Sequence, residues 1–421
     1  MNRIISLEPA WKMHAMQQQL LSFPPTGYEF LATPPPVEGL FKAISSMNMA
    51  YKLMRPLDNI VPTMLIKSWL QRRGELPANV VLTYAVDHLV FRREPWVVEV
   101  EYATMLAGIH PKHLKRFKGT IEKALGSHYC KRIFCWSRAG QNTLLSNLDP
   151  SSFRHKIEVV PYSVPPKPFV KKYGGERVKL LFIGSGTSRD PFEGRGSGVF
   201  EVFSLLRQQY SNLDLVVRCH VPPDVKSRYA GMANVKIIDH VVPWEEMEQE
   251  FQSADIFILP SFGTAPLTIL DAMSYELPVV TIDTWANPEY VENGKTGLVS
   301  PKSEKLVNYC NDAFQPFFHT RRFQEVMHHP DPEMVTNLAK SVSLLIENPE
   351  LRRRMGEAGR WEVENGKFSL KTMNDKLVRA FDEAIEETSQ PVNPDGQNIL
   401  AVEDATQLRK MSSGTQESLD G

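Results

Sequence analysis

Two rhythms of hydrophobic and polar positions run along this chain. From residue 178 onward, short apolar runs alternate with stretches of helical spacing. Val178-Lys179-Leu180-Leu181-Phe182-Ile183-Gly184 reads as a buried strand ending in glycine, and a loop and a helix near 199–209 follow it. Strands at 213–219, 235–239, 254–259 and 278–282 then alternate with helices near 224–229, 245–251 and 267–275. Each strand-helix step takes about 20–35 residues, as a doubly wound parallel sheet requires. Amphipathic helices over 333–387 close the periodic part.

The first half is less regular. Residues 1–75 are mostly helical in pattern, with breaks at Pro24-Pro25 and Pro34-Pro35-Pro36. Short β-branched runs at 79–84, 95–100, 132–137 and 157–162 read as strands, and 111–129 reads as a basic helix. Strands alternating with helices predict a second parallel α/β layer. Pro and Gly cluster with charge over 165–176, which makes 166–176 the linker. The expected organisation is a domain at 1–165, the linker at 166–176, a domain at 177–368, a helix crossing back at 369–387, and a disordered polar tail at 388–421.

Composition narrows the class. Of 421 residues, 42% are hydrophobic and 23% charged, a globular mix. No apolar run reaches the roughly 18 residues of a bilayer span, and the first residues carry no signal-peptide core. Cys130, Cys135, Cys219 and Cys310 form no Cys-x-x-Cys pair, so neither a zinc site nor a disulfide framework is suggested. A cytoplasmic compartment is expected. The net charge of -1 hides an asymmetry: residues 1–170 hold 21 Lys and Arg against 12 Asp and Glu, and the remainder holds 27 against 37. The basic half suits an anionic surface, a phosphorylated acceptor or nucleic acid; mutual attraction of two domains is the other reading.

Three loops lie at carboxyl ends of strands, where such sheets bind ligands. The first, 184–197, begins at Gly184 and carries Arg189 and Arg195, a pattern that suits a diphosphate or a solvated loop. It is no Walker loop, and Arg189 stands where a dinucleotide fingerprint has its third glycine. The second runs from Pro260 into a helix opening at Pro266, with Asp271 one turn on as either a hydroxyl acceptor or an ordinary helix acid. The third carries Pro288-Glu289, where Glu289 is open to the same two readings. In the first half His88 and Glu101 sit at strand ends. Each reads either as a site residue or as a structural one.

Residues 254–299 resemble the signature region of glycosyltransferase family 4, retaining enzymes of the GT-B fold. The matching residues are Ala254-Asp255-Ile256-Phe257-Ile258-Leu259-Pro260-Ser261, Ile269-Leu270-Asp271-Ala272-Met273, Leu277-Pro278-Val279-Val280, Pro288-Glu289 and Gly294-Lys295-Thr296-Gly297-Leu298. Phe182-Ile183-Gly184 with Arg195-Gly196 is similar to the family's phosphate loop. The resemblance implies α/β architecture with two Rossmann-like doubly wound domains facing across a cleft, the first taking the acceptor and the second a nucleotide-diphosphate sugar. It implies metal-independent transfer with retention and no cofactor beyond the donor. Gly184, Arg189 and Arg195 would hold the diphosphate, and Asp271 the ribose. Pro266, Leu267 and Thr268 would lie along the sugar and Glu289 near the diphosphate end. The first half lacks the family's glycine-rich acceptor loop; His88 and Glu101 are its catalytic candidates because both follow or end strands.

One departure stands out. The first acid of the family's Glu-x7-Glu pair is Gly263 here, and Asp271 takes the second place. An inactive, binding-only relative and a GT-B epimerase or phosphorylase therefore stay open as alternatives. The run Lys112-His113-Leu114-Lys115-Arg116-Phe117-Lys118 suits peripheral contact with an anionic membrane, or a solvated helix face. The expected acceptor is a saccharide or lipid-linked glycan, and no nucleic-acid motif is present.

Overall fold

The computed structural model describes residues 2–8, 15–32, 61–71, 77–108, 111–184, 196, 198–229, 231–263, 265–304 and 329–389. Arg189, Arg195 and nearly all of the 388–421 tail lie outside the described residues.

The chain divides into two compact units. The first comprises Met1–Cys135, Asn147–Glu158 and Asn374–Gly421; the second comprises Trp136–Ser146 and Val159–Met373. The first holds a six-stranded sheet of β1 (Arg3–Glu8), β2 (Tyr28–Ala32), β3 (Val80–Val86), β4 (Trp96–Val100), β5 (Cys130–Cys135) and β6 (Ile157–Val159), in the order β2-β1-β3-β4-β5-β6. The ladders joining β2, β1, β3, β4 and β5 are parallel.

The largely helical reading of residues 1–75 is corrected here, because β1 and β2 are strands and β1 lies inside the sheet. Ile4, Ile5 and Leu7 supply the apolar side chains of β1, and Ile5 and Leu7 are wholly buried. The run is too short to show a period on its own. The basic stretch after 111 is two helices, Pro111–Arg116 and Lys118–Gly126, parted at Phe117.

The second unit holds β7 (Val178–Ile183), β8 (Leu213–Arg218), β9 (Val235–Ile238), β10 (Ile256–Leu259), β11 (Val279–Ile282) and β12 (Gly297–Ser300), ordered β12-β11-β10-β7-β8-β9. All five ladders are parallel. Every residue of β10 and β11 is buried, which is why these strands read as unbroken apolar runs rather than alternating ones. Close approaches fix two neighbours. A Cβ on Gly297 would stand 2.1 Å from the Val279 carbonyl oxygen, so β12 can lie beside β11 only with glycine there. A Cβ on Gly356 would meet the Glu276 carbonyl at the same 2.1 Å, where the Pro349–Glu364 helix crosses the end of the Pro266–Ser274 helix.

Candidate functional site

Strand order locates one crevice in each unit, at the carboxyl ends of strands where the winding reverses. In the second unit that point lies between β7 and β10. Gly184 follows β7; its N–H donates to the Arg218 carbonyl (2.8 Å) and its own carbonyl accepts from the Arg218 guanidinium (2.9 Å). A Cβ on Gly184 would stand 2.4 Å from Cys219 Sγ, so the tight exit from the strand demands glycine. Burial lowers the pKa of Arg218, and its Nε has no hydrogen-bond partner among the described residues.

After β10 the chain turns through Pro260-Ser261-Phe262-Gly263. Wholly buried Asn287 laces this turn to the loop after β11: its Nδ2 donates to the carbonyls of Ser261 (2.9 Å) and Ile282 (3.2 Å). Thr284 Oγ1 adds a bond to the same Ser261 carbonyl (2.7 Å). The Pro266–Ser274 helix then starts without a side-chain cap at Ala265. Pro266 has no N–H to give, and Ile269 N–H bonds to Ala265 (3.1 Å). The amides of half-buried Leu267 and Thr268 are the first-turn donors that remain without a partner among the described residues.

Asp271 sits one turn further along this helix. Burial raises its carboxyl pKa to about 6, against the pull of Lys167, whose ammonium lies 3.7 Å from Oδ1. Lys167 also stands 4.8 Å from the centre of the half-exposed Trp244 ring.

Glu289 is in the short Asn287–Tyr290 helix, and both of its carboxylate oxygens are taken. They accept the backbone N–H groups of Arg138 (2.7 Å) and Ala139 (2.8 Å), which open the Arg138–Asn147 helix. Its neighbour Tyr290 donates to the Trp136 carbonyl (3.0 Å) and stacks on Phe368. The acid therefore serves a helix N-terminus, though of a helix about 150 positions earlier in the chain.

In the first unit the reversal falls between β1 and β3. Glu8 ends β1, Asp87 and His88 follow β3, and Glu101 follows β4. His88 is wholly buried; its Nδ1 lies 2.8 Å from the Val86 carbonyl and its Nε2 3.4 Å from Glu8. Burial and the nearby Lys67 lower the His88 pKa. Burial works to raise the Glu8 carboxyl, but His88 and Arg92 outweigh it and hold the pKa below its usual value. Buried Lys67, from the Thr63–Gln71 helix, is pushed down to about 7 by burial, with Glu8 and Asp87 opposing. Asp87 adopts a left-handed φ of 55° and accepts the Glu101 N–H (2.9 Å). Burial, then the Glu101 charge, holds its carboxyl well above the usual range.

Of the residues singled out in the sequence, Gly184, Pro266, Leu267, Thr268 and Asp271 gather along the carboxyl edge of the second sheet, while His88 and Glu101 belong to the first unit. Sequence reasoning missed Lys167, Arg218, Asn287, Glu8, Lys67 and Asp87. Only Asn287 had a local signal, standing just before Pro288-Glu289.

These two sheets define a protein of the GT-B class, with two Rossmann-like α/β domains. Residues 177–315 match the family described as "Glycosyl transferases group 1". A curated relative, the amylovoran biosynthesis glycosyltransferase AmsK of Erwinia amylovora, is 33% identical over 69 residues, which are 15% of this chain and 17% of that protein. The matched stretch thus spans about a sixth of the relative's length. Among solved structures, sucrose-phosphate synthase from Thermosynechococcus elongatus superposes with a TM-score of 0.57 at 12% identity, over 91% of this chain and 100% of that one. Anabaena HepE, solved with UDP and glucose, gives 0.54 at 11% identity over 91% and 100%. A glycosyltransferase from Rickettsia africae gives 0.54 at 13% over 91% and 99%.

Proposed function

We propose that this protein is a glycosyltransferase that moves a sugar from a nucleotide-diphosphate donor to an acceptor hydroxyl, with retention and without a metal. The observation that carries the reading is the edge of the second sheet: Asp271 and the first-turn amides of Leu267 and Thr268, which have no partner among the described residues, lie on one helix inside the segment that matches the glycosyltransferase family. A carboxylate is an acceptor for two ribose hydroxyls, and helix N-terminal amides are donors for sugar or phosphate oxygens. Arg189 and Arg195 are assigned to the diphosphate, where they offset charge growing on the leaving group. In the transfer, the acceptor oxygen bonds to the anomeric carbon as the bond to the diphosphate breaks, and the acceptor's proton passes to the departing diphosphate, which leaves as the nucleoside diphosphate.

The acceptor is a saccharide or lipid-linked glycan. Exposed Lys112, Lys115, Arg116, Lys118 and Lys123 on the Pro111–Arg116 and Lys118–Gly126 helices supply the charge for peripheral contact with an anionic membrane.

Gly263 favours a second reading, a relative that binds sugar nucleotide without turnover, because a glycine brings no carboxylate to the sugar. One experiment separates the two. Purified protein is mixed with UDP-, GDP- and ADP-sugars, with and without acceptor extract, and nucleoside diphosphate release is followed. Release that depends on acceptor supports transfer. Tight binding with no release supports the binding-only reading. Neither binding nor release would sink both.

A further inference from the structure

Lys167 meets Asp271 from a stretch without regular structure that is nevertheless fixed. Arg360 of the Pro349–Glu364 helix donates to the carbonyls of Lys167 (3.1 Å) and Phe169 (2.6 Å), and pairs with Glu276 (2.9 Å). Phe169 packs edge-on against Tyr275, with ring centres 5.4 Å apart. Buried Lys171 donates to the carbonyls of Gln252 (3.3 Å) and Ala254. Three ties thus fix the chain from Lys167 to Lys171. Lys167 lays its ammonium between Asp271 Oδ1 (3.7 Å), the Trp244 ring (4.8 Å) and the Tyr275 ring (5.9 Å).

The other titratable groups nearby do not serve this purpose. Tyr275, one turn along the same helix, gives its hydroxyl to Glu248 (2.6 Å) of the Trp244–Ser253 helix. Glu248 is a like charge, and Glu276 is engaged by Arg360. Lys167 is the cation facing Asp271 among the described residues.

Resting on the assignment of Asp271 to the donor ribose, we propose that Lys167 is a positioning residue that keeps the Asp271 carboxyl ionised for a ribose diol at neutral pH. An ionised carboxylate only accepts, which suits two hydroxyl donors; the protonated acid carries a donor of its own that competes with them. Burial alone works toward the protonated form, and Lys167 opposes it. Trp244 supports the ammonium through its ring face.

The test pairs a ligand-free measurement with a binding measurement. In a double-mutant cycle of Lys167→Met and Asp271→Asn, the two residues are expected to couple by about tenfold in the folding constant at pH 8 and not at pH 4.5, where the carboxyl is neutral. UDP, GDP and ADP are then titrated into wild type from pH 6.5 to 8.5, and the tightest is carried to the variants. Wild-type affinity is expected to stay nearly level above pH 7. Lys167→Met is expected to bind about tenfold weaker at pH 6.5 and to recover most of the loss by pH 8.5, while Lys167→Arg stays close to wild type. An equal loss at every pH would mean that Lys167 touches the ligand or merely shapes the site, and would overturn the proposal. Absence of coupling in the cycle would overturn it as well. If none of the three nucleotides binds wild type, the ribose assignment itself falls, and the cycle alone then decides whether Lys167 governs the Asp271 charge.

Discussion

Glu289 and Arg138, 151 positions apart, are joined by a carboxylate oxygen 2.7 Å from a backbone amide. The second oxygen of Glu289 takes the next amide, that of Ala139, at 2.8 Å. A cap of this kind is normally local, supplied by the residue preceding the helix. Here the local cap is present, Ser137 Oγ accepting the Gly140 N–H (3.0 Å), and a distant acid takes the two amides before it; Trp136–Ser146 belong to the second unit although β5 of the first sheet runs directly into them. Replacing Glu289 by Ala is expected to cost about 1–2 kcal/mol, the range for losing a cap, read as a lower midpoint in urea unfolding. Glu289→Gln, which keeps one acceptor oxygen, is expected to fall between the two. Equal stability of Glu289→Ala and wild type would show that the cap carries no weight.

Asp271→Asn is expected to weaken nucleoside diphosphate binding by about tenfold, the scale of one lost charge-assisted hydrogen bond. The same change is expected to erase any preference for a ribonucleotide over its 2′-deoxy form. Isothermal titration with the paired nucleotides checks both; a preference that survives in the variant rules out Asp271 as the ribose contact.

Lys67 makes stability depend on pH in an unusual direction. Its folded pKa is about 7, while the unfolded chain holds that proton up to about 10.4. Between those values the unfolded state binds more protons, so stability rises with pH, by at most about 1.4 kcal/mol per pH unit from this group. The stability of wild type relative to Lys67→Met is therefore expected to climb between pH 7 and pH 9.5. Denaturant unfolding across that window reads it out, and a flat difference would show that Lys67 keeps its proton in the folded protein.

Gly184→Ala places a carbon 2.4 Å from Cys219 Sγ and is expected to cost about 1–3 kcal/mol through overpacking. Adding Cys219→Ala is expected to restore much of that loss by removing the sulfur. Failure of the second change to help would move the cause to the backbone.

The basic helices are tested with vesicles. Charge reversal at Lys112, Lys115 and Arg116 is expected to abolish cosedimentation with vesicles containing anionic lipid, at about 1 kcal/mol per residue near the surface. Unaltered cosedimentation would remove this face from any membrane contact.

The second sheet was legible because its strands are buried on both faces. Ile256-Phe257-Ile258-Leu259 and Val279-Val280-Thr281-Ile282 are solid apolar blocks with turn residues between them. The Pro266 helix start, with Asp271 one turn on, followed from position, since a loop leaving such a strand must lie at the sheet edge; the ribose role of Asp271 came only from the family resemblance. The first sheet was harder. β1 is six residues with a serine inside and a glutamate at its end, and its burial comes from β2 and β3 on either side. The buried charges were not readable at all. Glu8, Lys67 and His88 are far apart in the chain and meet only through strand register and helix packing, and charged residues are ordinarily expected outside. Lys167 was hidden for a different reason: a lysine in a Pro-rich stretch looks like solvent-facing linker until Arg360 is seen holding its backbone.

The interleaving of the two units along the chain bears on how the protein can be taken apart. The main chain passes from one unit to the other at residues 135–136, 146–147, 158–159 and 373–374. No single uninterrupted fragment therefore encodes either half. A clone beginning near the start of β7 would discard the amides that satisfy Glu289, and one stopping after β6 would forfeit the last helix, whose Asp382 meets Arg3 at 2.6 Å. Dissection of this protein calls for paired, co-expressed segments or a rewired chain order, and poor yield from a simple truncation would report a severed scaffold rather than a dispensable activity.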